Sequence, residues 1–131
     1  MKRYFLETST IINYLKGHSK TVDIINDLEG ELSSSFICMA ELYEGIFRVE
    51  DKKEQEKGVL DFFSGFSDIF SVNDEVAKKF GQIRADLKKK GKVIEDLDIF
   101  IAATCLVNNL TLVTSNVRHF KRIEGLHILE V

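Results

Sequence analysis

Residues 3–17 read RYFLETSTIINYLKG, and their order decides how the rest of the chain is parsed. A short bulky run, Arg3 to Leu6, gives way at once to an acid, Glu7, and then to two hydroxyl residues, Thr8 and Ser9, that offer N-caps. Ile11, Ile12 and Leu15 follow on one side of a helix, and Gly17 supplies its stop. The stretch is therefore a strand, an acid at the strand's end, and a helix.

The same punctuation repeats along the chain. A second helix is expected over Lys20 to Glu29, closed by Gly30, and a second strand over Ser33 to Ile37. Met39, Leu42, Tyr43, Ile46 and Phe47 then recur at spacings of 3 and 4, as one helical face does. The charged run Glu50 to Lys57 reads as the tip of a helical hairpin whose second arm buries Leu60 and Phe63. Ile69 to Val72 forms a third short strand. Asn73 caps the next helix, Asp74 and Glu75 suit its dipole, and Val76, Ala77, Phe80, Ile83 and Leu87 make its inner stripe up to Gly91. A helix over Asp96 to Asn109, a strand over Leu112 to Thr114, a turn at Ser115 and Asn116, a short segment around Phe120 and a last strand over His127 to Glu130 complete the pattern. Alternating strands and helices of this kind predict an α/β fold with a parallel sheet between helical layers.

The chain has 131 residues, enough for one domain with a continuous core, so residues 1–131 are expected to fold as a single unit. The longest uncharged apolar run, Ile99 to Val107, falls far short of the roughly 20 residues a bilayer requires. Met1-Lys2-Arg3 is basic, but Glu7 interrupts the apolar run behind it, so no secretory leader is expected and the cytoplasm is the expected compartment. Cys38 and Cys105 lie among apolar neighbours without zinc or disulfide spacing, and are expected as buried thiols. The net charge of −3 does not mark a nucleic-acid binder, yet residues 78–92 carry seven basic side chains against one acid, Asp86. That run is either a solvated helix face or a contact for phosphates.

Four acids fall where a parallel sheet would gather them: Glu7 after the first strand, Glu41 after the second, and Asp96 and Asp98 at the start of a helix. In open α/β sheets ligands sit outside the carboxyl ends of the strands. Asp98 is the most informative, because Ile101, Ala102 and Cys105 at +3, +4 and +7 place it in line with a buried stripe. An unpaired charge there is costly, and a helix N-terminus offsets only about 0.3–1 kcal/mol of it. A divalent cation would offset more. Asp98, Asp96, Glu41 and Glu7 each also admit a simpler reading as helix-capping or dipole-complementing acids. Together they read as a Mg²⁺ or Mn²⁺ site that leaves coordination positions for water and phosphate oxygens, which points to phosphodiester hydrolysis.

The segments Phe5 to Ser9, Ala40 to Gly45, Glu95 to Ala103 and Leu112 to Asn116 resemble, in order and spacing, the signature blocks of PIN-domain proteins, specifically VapC-type toxins. The resemblance implies a three-layer α/β/α fold with a central, mainly parallel five-stranded sheet, and a Mg²⁺- or Mn²⁺-dependent endoribonuclease. It further implies a homodimer, an RNA substrate and a small VapB-type antitoxin as inhibitor. By position, Glu7, Glu41 and Asp98 take the places of the three metal-binding acids, with Asp96 as an auxiliary one. Thr8 or Ser9 corresponds to a hydroxyl that steadies the first acid or a water, and Asn116 and His119 lie where relatives carry a fourth polar or acidic group.

Two departures stand out. The family places Asp at the first position, whereas this chain has Glu7, one methylene longer, and neither Asn116 nor His119 is a carboxylate. Mg²⁺ demands near-octahedral geometry at about 2.0–2.1 Å, so the loop or a water must absorb the added reach of Glu7, or the preference shifts toward Mn²⁺. Two functional readings follow: an active toxin ribonuclease, or a PIN-fold binding module that Glu7 has weakened catalytically. A receiver-like phosphoacceptor lacks its acid, since Val72-Asn73 ends the third strand. Phe62, Phe63 and Phe66 serve either a dimer contact or the monomer's own core.

Overall fold

A computed structural model describes residues 2–131 as five strands and seven helices in the order β1 (Arg3–Leu6), α1 (Thr8–Leu15), α2 (Ser19–Asp27), β2 (Glu31–Ser35), α3 (Phe36–Ile46), α4 (Lys52–Phe63), β3 (Asp68–Phe70), α5 (Asp74–Lys89), α6 (Asp96–Asn108), β4 (Thr111–Thr114), α7 (Val117–Phe120) and β5 (Ile128–Glu130). The strands form one sheet in the order β3-β2-β1-β4-β5, and every pairing is parallel. The sheet expected to be mainly parallel is wholly so.

Strand alternation feeds two cores. Phe5 of β1 and Leu112 of β4 face α5, α6 and α7, where Val76, Ile83, Leu87, Ile99, Ile101 and Phe120 are buried. Tyr4, Leu6 and Val113, the alternate residues, face α1 to α4, where Ile11, Ile25, Leu42, Ile46, Val59 and Phe63 are buried. Helices on both faces are what a parallel sheet requires. The result is the α/β/α sandwich expected from the sequence.

Several boundaries differ from the sequence reading, each for a local reason. The second strand was expected over Ser33 to Ile37 but ends at Ser35, whose side chain accepts a 3.2 Å hydrogen bond from the Cys38 amide and so starts α3 at Phe36. Ser33 and Ser34 keep a polar strand buried by donating at 2.8 Å to the carbonyls of Tyr4 and Leu6. In α4 the inward residues are Val59 and Phe63, one turn apart, which turns Leu60 outward at 42% exposure. Ala77 of α5 is exposed as well, while the Phe80 ring stacks on Phe100 with centroids 4.0 Å apart. Val72 lies beyond β3 and is exposed. Phe62, Phe63 and Phe66 pack on one another within the chain, with Tyr14 against Phe62, so the monomer uses them. Gly17 and Gly91 adopt positive φ (75° and 67°) just beyond α1 and α5, where the sequence placed helix stops.

Candidate metal centre

Parallel strands deliver their carboxyl ends to one edge of the sheet, and that edge collects the acids. Glu7, the residue after β1, is itself the N-cap of α1, a role the sequence reading gave to Thr8 or Ser9. Its Oε1 accepts from the Thr10 amide at 3.0 Å, from Thr10 Oγ1 at 3.1 Å and from the Ser9 hydroxyl. A carboxylate only 5% exposed is held there by these donors and by the helix N-terminus. All three contacts go to Oε1, which leaves Oε2 uncommitted to the cap. The extra methylene of Glu7 is thus absorbed by curling back onto its own helix.

Glu41, half-buried in α3, receives a 2.7 Å hydrogen bond from Thr8 Oγ1. The two hydroxyl residues after β1 therefore divide their work, Ser9 on Glu7 and Thr8 on Glu41. Ser9 also lies 3.3 Å from Ser115, which ties the first turn of α1 to the turn after β4.

Asp98 sits in the first turn of α6 with its side chain only 17% exposed. The cap position of that helix belongs to Glu95, so Asp98 and Asp96 are both inside it rather than capping it. Burial, then the charges of Glu41, Glu7 and Glu95, push the Asp98 carboxyl up to about 6, against a smaller opposing influence of His119. Glu41 is raised too, first by burial and then, against the lowering Thr8 bond, by Glu7, Glu95 and Glu44. Three acids from separate segments repel one another across a shared space. Among the described residues, no Lys or Arg forms an ion pair with Glu7, Glu41 or Asp98.

Asp96 does not join them. Its Oδ1 pairs with Arg84 Nε at 3.0 Å on an exposed face between α5 and α6, so an auxiliary role at the centre is not what this geometry supports. His119 does come in: its Nδ1 lies 3.8 Å from Asp98 Oδ2, and Asn116 Nδ2 is 3.2 Å from the same nitrogen. Glu95 and Ser115 are the neighbours that sequence reasoning missed. Glu95 was legible only as the acid that opens the Glu95-Asp96-Leu97-Asp98 run, and Ser115 as a turn residue.

Among the described residues, no three His, Cys, Asp or Glu side chains are close enough to enclose an ion. Mg²⁺ and Mn²⁺ do not need such a cage, since they keep several waters and take one or two carboxylates. The donor chemistry fits an ion of this class: hard carboxylate oxygens, uncompensated repulsion and partial access to solvent. Cys38 and Cys105 are buried and free, and burial raises both thiols, which makes them poor ligands.

The family model described as PIN domain matches residues 4–126. The chain is 33% identical to Ribonuclease VapC2 of Rickettsia felis, covering 97% of this chain and 96% of that protein. It is 34% identical to Ribonuclease VapC1 of Methanocaldococcus jannaschii, covering 98% and 88% respectively. Its fold superposes on a chain of the crystal structure of VapBC2 from Rickettsia felis bound to a promoter DNA fragment with a TM-score of 0.90, at 26% identity and 98% coverage of both chains. With one family model spanning nearly all of it and full-length relatives above 30% identity, the chain belongs to the PIN-domain family, among its VapC members.

Proposed function

We propose that this chain is a divalent-metal-dependent endoribonuclease, the toxin of a VapBC-type toxin–antitoxin pair, acting as one PIN-like domain in the cytoplasm. The observation that carries the reading is the gathering of Glu7, Glu41 and Asp98 at one edge of the sheet, where burial first and then the charges of Glu41 and Glu7 push Asp98 up to about 6 with no Lys or Arg paired to it among the described residues. The names of the relatives, ribonucleases of the VapC group, point the same way. In this reading one or two of Asp98, Glu41 and the Oε2 of Glu7 would contact Mg²⁺ or Mn²⁺ directly and the rest through its waters, and the ion would supply an activated water and neutralise charge at the scissile phosphodiester. Thr8 and Ser9 fix the two glutamates. Asn116 and His119 stand where they reach substrate or water, and the basic run from Lys88 to Lys92, with Arg118 to Arg122, guides the RNA backbone.

The partner reading has support of its own. A groove of about 480 Å³ runs between α1, α3 and α4, lined by Ile12, Leu15, Leu42, Ile46 and Val49 among others, and Glu41 stands at its edge. An antitoxin segment with an apolar face and one cationic side chain would fill it and cover the acids. Homodimerisation remains part of the proposal, though Phe62, Phe63 and Phe66 no longer argue for it. Among the described residues no helix is long and apolar enough to cross a membrane.

The decisive assay is RNA cleavage with Mg²⁺ or Mn²⁺ and its reversal by EDTA. Asp98→Asn abolishes it in this account; full cleavage by that variant would end the assignment. The weakened binding-module reading is tested by Glu7→Asp, where a large gain in rate would favour it.

A further inference from the structure

We propose that Thr10 is a positioning residue matched in length to Glu7: its hydroxyl locks the carboxyl group through Oε1 and leaves Oε2 as the oxygen offered to the centre. What Oε2 then holds rests on the metal-dependent reading above; the lock itself does not. Thr10 and Ile11 are the buried residues of α1, and Thr10 is 0% exposed. A buried hydroxyl is costly unless it is bonded, and valine has the same branching without that cost. The hydroxyl has two partners: Glu7 Oε1 at 3.1 Å and the Val113 carbonyl of β4 at 3.0 Å. Its single proton cannot serve both. Val113 O also accepts the Glu7 amide at 3.4 Å, so it keeps a donor when the Thr10 proton goes to Oε1.

Length is the reason for the match. Asp, Asn, Ser and Thr are the preferred helix caps, because a short side chain reaches the amide of the second or third helical residue directly. Glu7 caps α1 with one methylene more, and a single amide bond leaves such a carboxyl group free to turn about its last side-chain bond. Here the amide and the hydroxyl of one residue meet the same oxygen, at 3.0 and 3.1 Å, and the Ser9 hydroxyl joins them. Donors prefer the plane of the group that accepts them, so this convergence sets the carboxyl plane. Through Val113 the same hydroxyl presses the first acid against β4, the strand that leads to Ser115 and Asn116. An aspartate at position 7 would keep the amide bond and lose the reach to the hydroxyl.

The test is a double-mutant cycle of Thr10→Val and Glu7→Asp, read by urea unfolding in EDTA and by calorimetric titration with Mn²⁺. With Glu7 in place, Thr10→Val should lower the folding equilibrium constant and the Mn²⁺ affinity by about tenfold each, and Thr10→Ser should restore most of both. In the Glu7→Asp chain, Thr10→Val should change either quantity within about twofold. Failure of Thr10→Val to fold with Glu7 but not in the Glu7→Asp chain is the same result in extreme form. Equal losses in both chains, failure to fold in both, or a loss that Thr10→Ser does not restore would make Thr10 an ordinary core residue and overturn the proposal. A wild type that binds no Mn²⁺ overturns the metal reading alone, and the unfolding cycle then decides the role of Thr10.

Discussion

Thr8 and Glu41, 33 residues apart in sequence, are joined by a 2.7 Å hydrogen bond from the Thr8 hydroxyl to Glu41 Oε1. The bond couples the first turn of α1 to α3, so the first and second acids are positioned by adjacent residues of one helical turn. Because the acceptor is a carboxylate, the contact is worth about 1.5–3 kcal/mol, enough to matter for a cation site. Thr8→Val is expected to weaken Mn²⁺ binding by about tenfold, and Thr8→Ser to restore most of it. Equal isotherms for wild type and Thr8→Val would show that Glu41 needs no such support.

The raised Asp98 carboxyl has a consequence for the metal-free protein. Its folded value, about 6, lies above the ordinary 3.8, so between these values the folded chain holds a proton that the unfolded chain has lost. Stability from this group is present below about pH 4 and is lost as pH rises toward 6, by about 1–2 kcal/mol after allowance for partial hydration. In EDTA, Asp98→Asn should be more stable than wild type at pH 7.5, with the difference shrinking at pH 4.5. Urea titrations at the two pH values read this directly, and a variant less stable at pH 7.5 would contradict it.

Asp96 supplies a contrasting case within the same short run. Its ion pair with Arg84 is exposed on both sides, and such pairs contribute only about 0–1 kcal/mol. Asp96→Asn should therefore leave RNA cleavage within about twofold of wild type and shift the urea midpoint little. A loss comparable to that of Asp98→Asn would place Asp96 at the metal.

The difference between these two aspartates shows how far the sequence could be read. Asp98 was legible because Ile101, Ala102 and Cys105 fix its helical face, and all three are buried as that phase requires. Asp96 lies about 200° around the helix from Asp98, and its partner Arg84 belongs to another element, which no local pattern announces. The start of α3 was misplaced because Phe36 and Ile37 extend the apolar run, while the Ser35 cap overrides it. His119 belongs to a four-residue helix set in place by the buried Phe120, a tertiary effect without periodicity to read. The resemblance to PIN-domain blocks supplied the proposed ligand positions. The hydrogen bonds to Glu7 show how a glutamate is accommodated at the first.

The apolar groove gives a prediction separable from catalysis. Leu15 and Val49 line it and are exposed, so neither is needed for the core. Val49→Lys or Leu15→Lys should reduce antitoxin affinity by about tenfold or more and leave free-toxin cleavage unchanged. Undiminished affinity in both variants would move the partner's contact to another face.

The central claim is that Glu7, Glu41 and Asp98 share one divalent cation. Crystals grown with Mn²⁺ and measured for anomalous scattering test it most directly. The account predicts one strong peak in direct contact with Asp98 and linked to Glu7 and Glu41 directly or through the ion's waters, and its loss in Asp98→Ala. A peak elsewhere, or an ordered site without density for Mn²⁺ at millimolar concentration, would contradict it.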